Sequence, residues 1–164
     1  MTPGGGRLSA AGVAAVAAVV VALDQISKTW ALRTLADREP LHVLGSLQLA
    51  LSFNSGVAFS LGRGSGLTIV PVALVVVVVV VFAARHLGGP VAATSVGLVV
   101  GGAVGNLIDR LVRGHDGAVV DFIDLQWWPV FNLADAGIVV GGALLAVTSL
   151  RRPSTETSTS AECS

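Results

Sequence analysis

Between Gly101 and Gly137 the chain reads GGAVGNLIDRLVRGHDGAVVDFIDLQWWPVFNLADAG, and this stretch holds five of the ten acidic residues: Asp109, Asp116, Asp121, Asp124 and Asp135. Asn106, Arg110, Arg113 and Asn132 lie among them. Long apolar runs flank the stretch, and a carboxylate beside hydrocarbon is costly unless it is paired, hydrated or functional. Asn132 and Asp135 have the spacing of a helix N-cap and its third-residue acid, which accounts for Asp135 as a cap. It does not account for Asp121, which follows Val119 and Val120 on a segment that must fold back towards the same helix. Two acids brought close cannot both ionise easily at neutral pH, so one keeps a proton. Such a dyad can activate water with one carboxylate and protonate a leaving amine with the other. That hydrolyses an amide without metal, cysteine or serine. A proton relay in a small transporter uses the same residue types, so the pair alone leaves both chemistries open.

Two further groups could support the pair. Asn106, Asp109 and Arg110 put an amide, a carboxylate and a guanidinium at one helix end. A carboxylate at a helix C-terminus opposes the macrodipole and needs a partner, for which Arg110 and Arg113 are nearest; a purely structural ion pair is the simpler reading. Asp24 and Lys28 are one helical turn apart with the acid first, the favoured order for an ion pair. Their spacing alone favours a surface pair at a membrane boundary, worth a few tenths of a kcal/mol, over a pair that organises a site.

The elements that carry these residues are membrane elements. A hydrophobic fraction of 53% with 12% charged residues leaves too few polar groups to cover a soluble surface. Zero formal net charge gives no reason to expect nucleic acid as a partner. One cysteine, Cys163, excludes an internal disulfide, and His42, His86 and His115 are too scattered for a metal site. No cofactor or metal is expected.

Four apolar runs read as spans at about 8–26, 67–84, 91–108 and 134–150, near the short end of what crosses a core of about 30 Å. The first follows Arg7 as a cleaved signal peptide would, but it runs on in helical register into residues 24–28, and three more spans follow. Pro71 fits the first turn of the second span. Gly97, Gly101, Gly102 and Gly105 give the third a small-residue face for close helix approach. Residues 29–40 read as a short interfacial segment. Leu47–Asn54 alternates with period two, Leu47, Leu49, Leu51 and Phe53 against Gln48, Ala50, Ser52 and Asn54, so it reads as a strand outside the hydrocarbon. Turn residues follow it, and 57–61 could pair back. The loop 109–133 carries Trp127 and Trp128 as interfacial anchors. Residues 1–152 form one membrane domain, and 153–164 a disordered polar tail. Four spans put both termini on one side, and the basic residues do not settle which.

Taken together, the motifs resemble those of the lipoprotein signal peptidases, the signal peptidase II family. Asp24-Gln-Ile-Ser-Lys28, Phe53-Asn54-Ser-Gly56-Val-Ala58-Phe59, Gly102-Ala-Val-Gly-Asn106-Leu-Ile-Asp109-Arg110, Val119-Val-Asp121-Phe122 and Phe131-Asn132-Leu-Ala-Asp135 stand in the family's order between spans of the family's placement. The resemblance implies a four-helix membrane bundle with a small extracytoplasmic sheet platform and a short interfacial helix. It implies an intramembrane aspartyl endopeptidase in the bacterial inner membrane, with both termini cytoplasmic and the site near the outer leaflet; a monomer in contact with membrane lipids is expected. The substrate implied is a diacylglyceryl-modified prolipoprotein, cut just before the lipid-bearing cysteine. By motif, Asp121 and Asp135 would be the catalytic dyad. Asp24, Lys28, Asn54, Gly56, Asn106, Asp109, Arg110 and Asn132 would bind substrate or support the dyad. Asp116 reads as a solvated loop residue and Asp124 as structural.

Overall fold

A computed structural model describes residues 8–56, 70–84 and 88–150. The expected strand at 57–61, the start of the second span at 67 and the tail from 153 lie outside the described residues. Among the described residues the elements are four helices, α1 (Ala10–Thr34), α2 (Val70–Ala84), α3 (Pro90–Val112) and α4 (Leu133–Leu150), and a sheet of β1 (Leu41–Leu44), β2 (Leu47–Asn54) and β3 (Val119–Asp124), which α1 and α3 contact through β3. Helix α3 is central, packed along α1 on one side and α4 on the other, with α2 against it more lightly.

The helix pair contacts are set by small residues. A Cβ on Gly97 would stand 2.6 Å from Val16 Cβ, and one on Gly101 would stand 2.8 Å from the Ala17 carbonyl oxygen. A Cβ on Gly141 of α4 would lie 2.7 Å from the Ser95 carbonyl oxygen of α3. Close backbone approach of this kind lets helices associate in lipid, where no hydrophobic force draws them together.

Burial is inverted relative to a soluble protein. On α1, Leu23 and Ile26 are 55% and 67% exposed while Asp24 and Lys28 are 0% exposed. Val75, Val78, Val79 and Phe82 of α2 and Val139 and Val147 of α4 also face outwards. That arrangement is stable when hydrocarbon is the solvent. Helices α1, α3 and α4 are long and apolar enough to cross a membrane; the described part of α2 has 15 residues, with Pro71 in its first turn.

Two helices run further than their apolar lengths suggest. Helix α1 continues to Thr34, where the Leu35 backbone N–H bonds the Ala31 carbonyl at 2.8 Å. The segment expected to be interfacial over 29–40 divides in two: residues 29–34 extend α1, and the chain then turns into β1. Helix α3 likewise passes 108 and ends at Val112. In both cases charged residues past the apolar run, Lys28 on α1 and Asp109 on α3, find partners inside the bundle.

The end of α1 seats on the sheet. Ala31, Leu35 and Phe122 form a buried cluster flanked by Leu49, Leu51 and Ile123, and Trp30 meets Phe122 edge-on at 6.4 Å between centroids. The sheet is antiparallel in the order β1-β2-β3. Gly45, at φ +57°, turns β1 into β2. Strand β2 spans the expected residues, but a register shift between Leu49 and Ser52 breaks the alternation. Leu49 and Leu51 pack inwards, whereas Phe53 is 47% exposed and tilts over His115. Strand β3 was expected as loop; its Val119, Val120 and Phe122 are buried, and Asp121 pairs with Ser52 across β2.

Candidate active site

Helix α4 begins with a reciprocal cap. The Asp135 backbone N–H donates to Asn132 Oδ1 at 2.9 Å, and the Asn132 N–H reaches Asp135 Oδ2 at 3.4 Å. The cap also receives help from another helix: Asp24 Oδ1 on α1 accepts from the Ala134 N–H at 3.0 Å. Capping uses the oxygen of the Asn132 side chain and leaves its amide free to donate. That amide donates to Asp121 Oδ1 at 2.6 Å, with Asn106 Oδ1 and the Val120 carbonyl also in reach at 3.1 and 3.3 Å.

Asn106 completes the link between the two acids. Its Nδ2 donates to Asp135 Oδ1 at 2.8 Å, while its Oδ1 accepts from Lys28 Nζ at 2.9 Å. Asp121 is 1% exposed. Burial, and then the negative charge of Asp135, push the Asp121 carboxyl up to about 6; hydrogen bonds from Asn54 and Asn132 and the Lys28 charge pull the other way. Asn54 is held by an Asx turn in which its Oδ1 accepts from the Gly56 N–H at 2.9 Å. Gly56 adopts φ +77°, so its part is to shape that turn.

Beneath the acids lies a buried charge cluster. Lys28 Nζ stands 2.9 Å from Asp24 and 2.8 Å from Asp109, all three 0% exposed. The surface-pair reading of Asp24 and Lys28 is therefore wrong: the shared helix face points into the bundle, where Asp109 and Asn106 of α3 meet it. Asp109 pairs with Arg113 at 2.9 Å, and its Oδ2 also accepts from the Val120 N–H at 3.1 Å. Arg110 donates to the Gly117 carbonyl at 2.8 Å and lies in the field of Asp121, Asp109 and Asp135.

Not every acid joins. Asp116 is an exposed turn residue at φ +50°. Asp124 sits at the strand end, where Gln48 and the Gln126 backbone N–H bond its carboxyl and hold it below the ordinary range. Sequence reasoning missed Gln25, which contacts Asp24, Asp109, Gly105 and Arg113. Its place among the polar residues 24–28 of an otherwise apolar helix was the available signal. Among the described residues, no cluster of His, Cys, Asp and Glu is arranged to hold a metal ion.

The polar groups thus converge where the C-terminal half of α1 and the end of α3 meet the start of α4, beside β3. Residues 16–151 match the family model described as signal peptidase (SPase) II. The chain belongs to the signal peptidase II family.

A lipoprotein signal peptidase of Syntrophomonas wolfei is 47% identical over 134 residues, 80% of this chain and 88% of that protein. One of Mycolicibacterium smegmatis is 42% identical over 139 residues, covering 82% of this chain and 59% of the longer relative. A bacterial membrane enzyme solved by the in meso method superposes with a TM-score of 0.75 at 24% identity, over 91% of this chain and 99% of that one, and shares the fold. Family membership makes the chain a signal peptidase II-type membrane peptidase, and the transporter alternative finds no support.

Proposed function

We propose that this chain removes signal peptides from diacylglyceryl-modified prolipoproteins as an aspartic endopeptidase, cutting just before the lipid-bearing cysteine. The supporting observation is that Asn132 bonds Asp121 at 2.6 Å and caps Asp135 at 2.9 Å, so one side chain holds both proposed catalytic acids. Asp121, whose carboxyl burial pushes up, serves as the acid, and Asp135 as the base. Asp135 takes a proton from water as its oxygen attacks the scissile carbonyl carbon. The carbon–nitrogen bond then breaks as Asp121 delivers its proton to the leaving nitrogen. The dyad ends with its proton on Asp135 and passes it back for the next turnover. Asn106 and Asn132 orient the two carboxyls, Lys28 and Asp24 anchor Asn106 and the start of α4, and Asp109 docks β3. Arg110, Asn54 and Gly56 complete the substrate-facing support.

The same reading makes α2 the fourth span of a single membrane domain over 1–152. Both termini lie in the cytoplasm and the site near the outer leaflet, with the sheet as an extracytoplasmic platform. One chain contributes every proposed site residue, so a monomer in contact with membrane lipid suffices. The test is cleavage, by full-length protein in detergent, of a diacylglyceryl-modified precursor beside its unmodified form. Asp121→Asn and Asp135→Asn each abolish cleavage of the modified precursor, and Asp116→Asn retains it. Full cleavage by either dyad variant sinks the mechanism, and equal cleavage of the unmodified precursor sinks the substrate class.

A further inference from the structure

Lys28 is asked to serve three acceptors at once: Asp24 at 2.9 Å, Asp109 at 2.8 Å and Asn106 at 2.9 Å. One buried ammonium between two buried carboxylates leaves an uncompensated negative charge, which the bundle interior resists. Arg113, the C-cap residue of α3, supplies the second cation. Its Nε donates to Asp109 Oδ1 at 2.9 Å, its NH2 to Gln25 Oε1 at 2.6 Å, and its NH1 lies 3.4 Å from Thr29 Oγ1. Gln25 closes the ring, with Nε2 at 3.2 Å from Asp24 Oδ2, 3.2 Å from Asp109 Oδ1 and 3.1 Å from the Gly105 carbonyl.

The result is a neutral quartet in which each Asp109 oxygen has its own cation. Arg113 takes Oδ1, and Oδ2 faces Lys28 and the Val120 N–H at 2.8 and 3.1 Å. Val120 precedes Asp121, so the orientation of Asp109 places the backbone of the first acid. The share of Lys28 left for Asn106 places the amide that bonds Asp135 at 2.8 Å. Neither Arg113 nor Gln25 bonds Asp121 or Asp135 itself.

We propose that Arg113 and Gln25 are positioning residues of the peptidase, holding Asp109 so that Lys28 stays shared with Asn106 and β3 stays docked beside α4. This rests on the dyad reading above. Without the guanidinium, Lys28 is drawn wholly to the two carboxylates, Asn106 loses its donor, and the acids lose their mutual register. The groups facing Asp121 are Lys28 from α1, Arg110 from α3, Asn54 from β2, Asn132 from the N-cap of α4 and Asp135 from its first turn. Of these, the retreating Lys28 changes most, and weaker attraction from a cation raises a carboxyl pKa.

The experiment is steady-state cleavage of a diacylglyceryl-modified precursor peptide by folded, full-length protein in detergent. The variants are Arg113→Ala, Arg113→Lys, Gln25→Leu and the Arg113→Ala/Gln25→Leu pair, with Asp121→Asn as control. Each alanine or leucine variant is expected to lower kcat about tenfold or more, with KM within about twofold of wild type, because misplacement affects chemistry and not binding. The alkaline limb of kcat/KM moves to higher pH in Arg113→Ala. Arg113→Lys keeps the charge without the fork, so it restores the limb and only part of kcat. The pair loses no more than its worse member, as residues acting through one network do.

Wild-type kcat per folded enzyme in Arg113→Ala and Gln25→Leu, with or without a lower unfolding temperature, overturns the proposal and leaves a structural tie. Should Arg113→Ala not fold, Gln25→Leu and Arg113→Lys decide: wild-type kcat in both overturns it, and reduced kcat at unchanged KM supports it. An active Asp121→Asn instead defeats the dyad reading. An inactive Asp121→Asn beside wild-type Arg113 and Gln25 variants defeats this inference alone.

Discussion

Asn132 and Asp121 are joined by a hydrogen bond of 2.6 Å between a side-chain amide and a buried carboxyl. The same Asn132 side chain caps α4 through its oxygen. The two roles use different atoms and can be separated. Asn132→Ser retains a capping oxygen and loses the amide, so the cap is kept while the buried Asp121 carboxyl loses a donor, at a cost of about 1–3 kcal/mol in unfolding. Its cleavage rate falls about 100-fold, the scale of a misplaced reacting group. Asn132→Ala loses both, with a further cost of about 1 kcal/mol in stability. Wild-type cleavage by Asn132→Ser would contradict the assigned role of the amide.

Lys28 is buried beside two carboxylates, and its removal leaves Asp24 without a cation and Asp109 with Arg113 alone. Lys28→Met is expected to destabilise the protein by about 3–5 kcal/mol, against less than about 0.5 kcal/mol for exposed Arg33→Ala. Thermal unfolding of the two variants in one detergent compares them. Cleavage falls with Lys28→Met because Asn106 loses its donor. Equal unfolding temperatures would restore the surface-pair reading.

The Asp121 carboxyl, lifted from 3.8 to about 6, predicts a pH dependence. The folded protein binds this proton more tightly than the unfolded chain does. Stability from this group is therefore greatest below the ordinary value, declines as pH rises through that window and is level above about 6. Cleavage that needs Asp121 protonated loses rate on the alkaline side of the same value. In an infrared titration of the carboxyl bands, Asp135→Asn lowers the Asp121 transition by removing a like charge, and Asn54→Ala raises it by removing a donor. Opposite shifts would contradict the causes assigned here.

The glycines of the bundle differ in what a methyl group would meet. A Cβ on Gly105 would stand 2.6 Å from Asp24 Oδ2, and one on Gly102 would press on the Ala134 carbonyl, whereas one on Gly142 meets nothing within 4 Å. Gly105→Ala and Gly102→Ala are expected to cost about 1–3 kcal/mol by overpacking, and Gly142→Ala to gain up to about 1 kcal/mol through helix propensity. Unfolding temperatures of the three variants check the order. Gly105→Ala should also slow cleavage, because it displaces the acid that caps α4.

Much of the framework was legible in residue order. The Leu47–Asn54 strand announced itself by its period of two, and the Asn132–Asp135 cap by its spacing. Strand β3 was harder to see because Val119, Val120 and Phe122 are buried together with Asp121, so no alternation of apolar and polar residues marks it. The extent of α1 beyond residue 26 was hidden for a related reason. Asp24, Gln25, Lys28 and Thr29 look like a membrane exit when their partners on α3 and α4 are not in view.

The apolar runs settled by themselves that this chain belongs in a membrane, since no folding can hide so much hydrocarbon from water with so few polar groups. Motif order settled the family. Tertiary structure alone decided what each polar residue touches. An (i, i+4) spacing places Asp24 and Lys28 on one face of α1, but whether that face meets lipid headgroups or a third charged residue depends on how α3 and α4 pack against it. The place of Gln25 in the ring and the single amide joining Asp121 to the start of α4 are decided in the same way. They are contacts between separate elements, and local spacing carries no record of them.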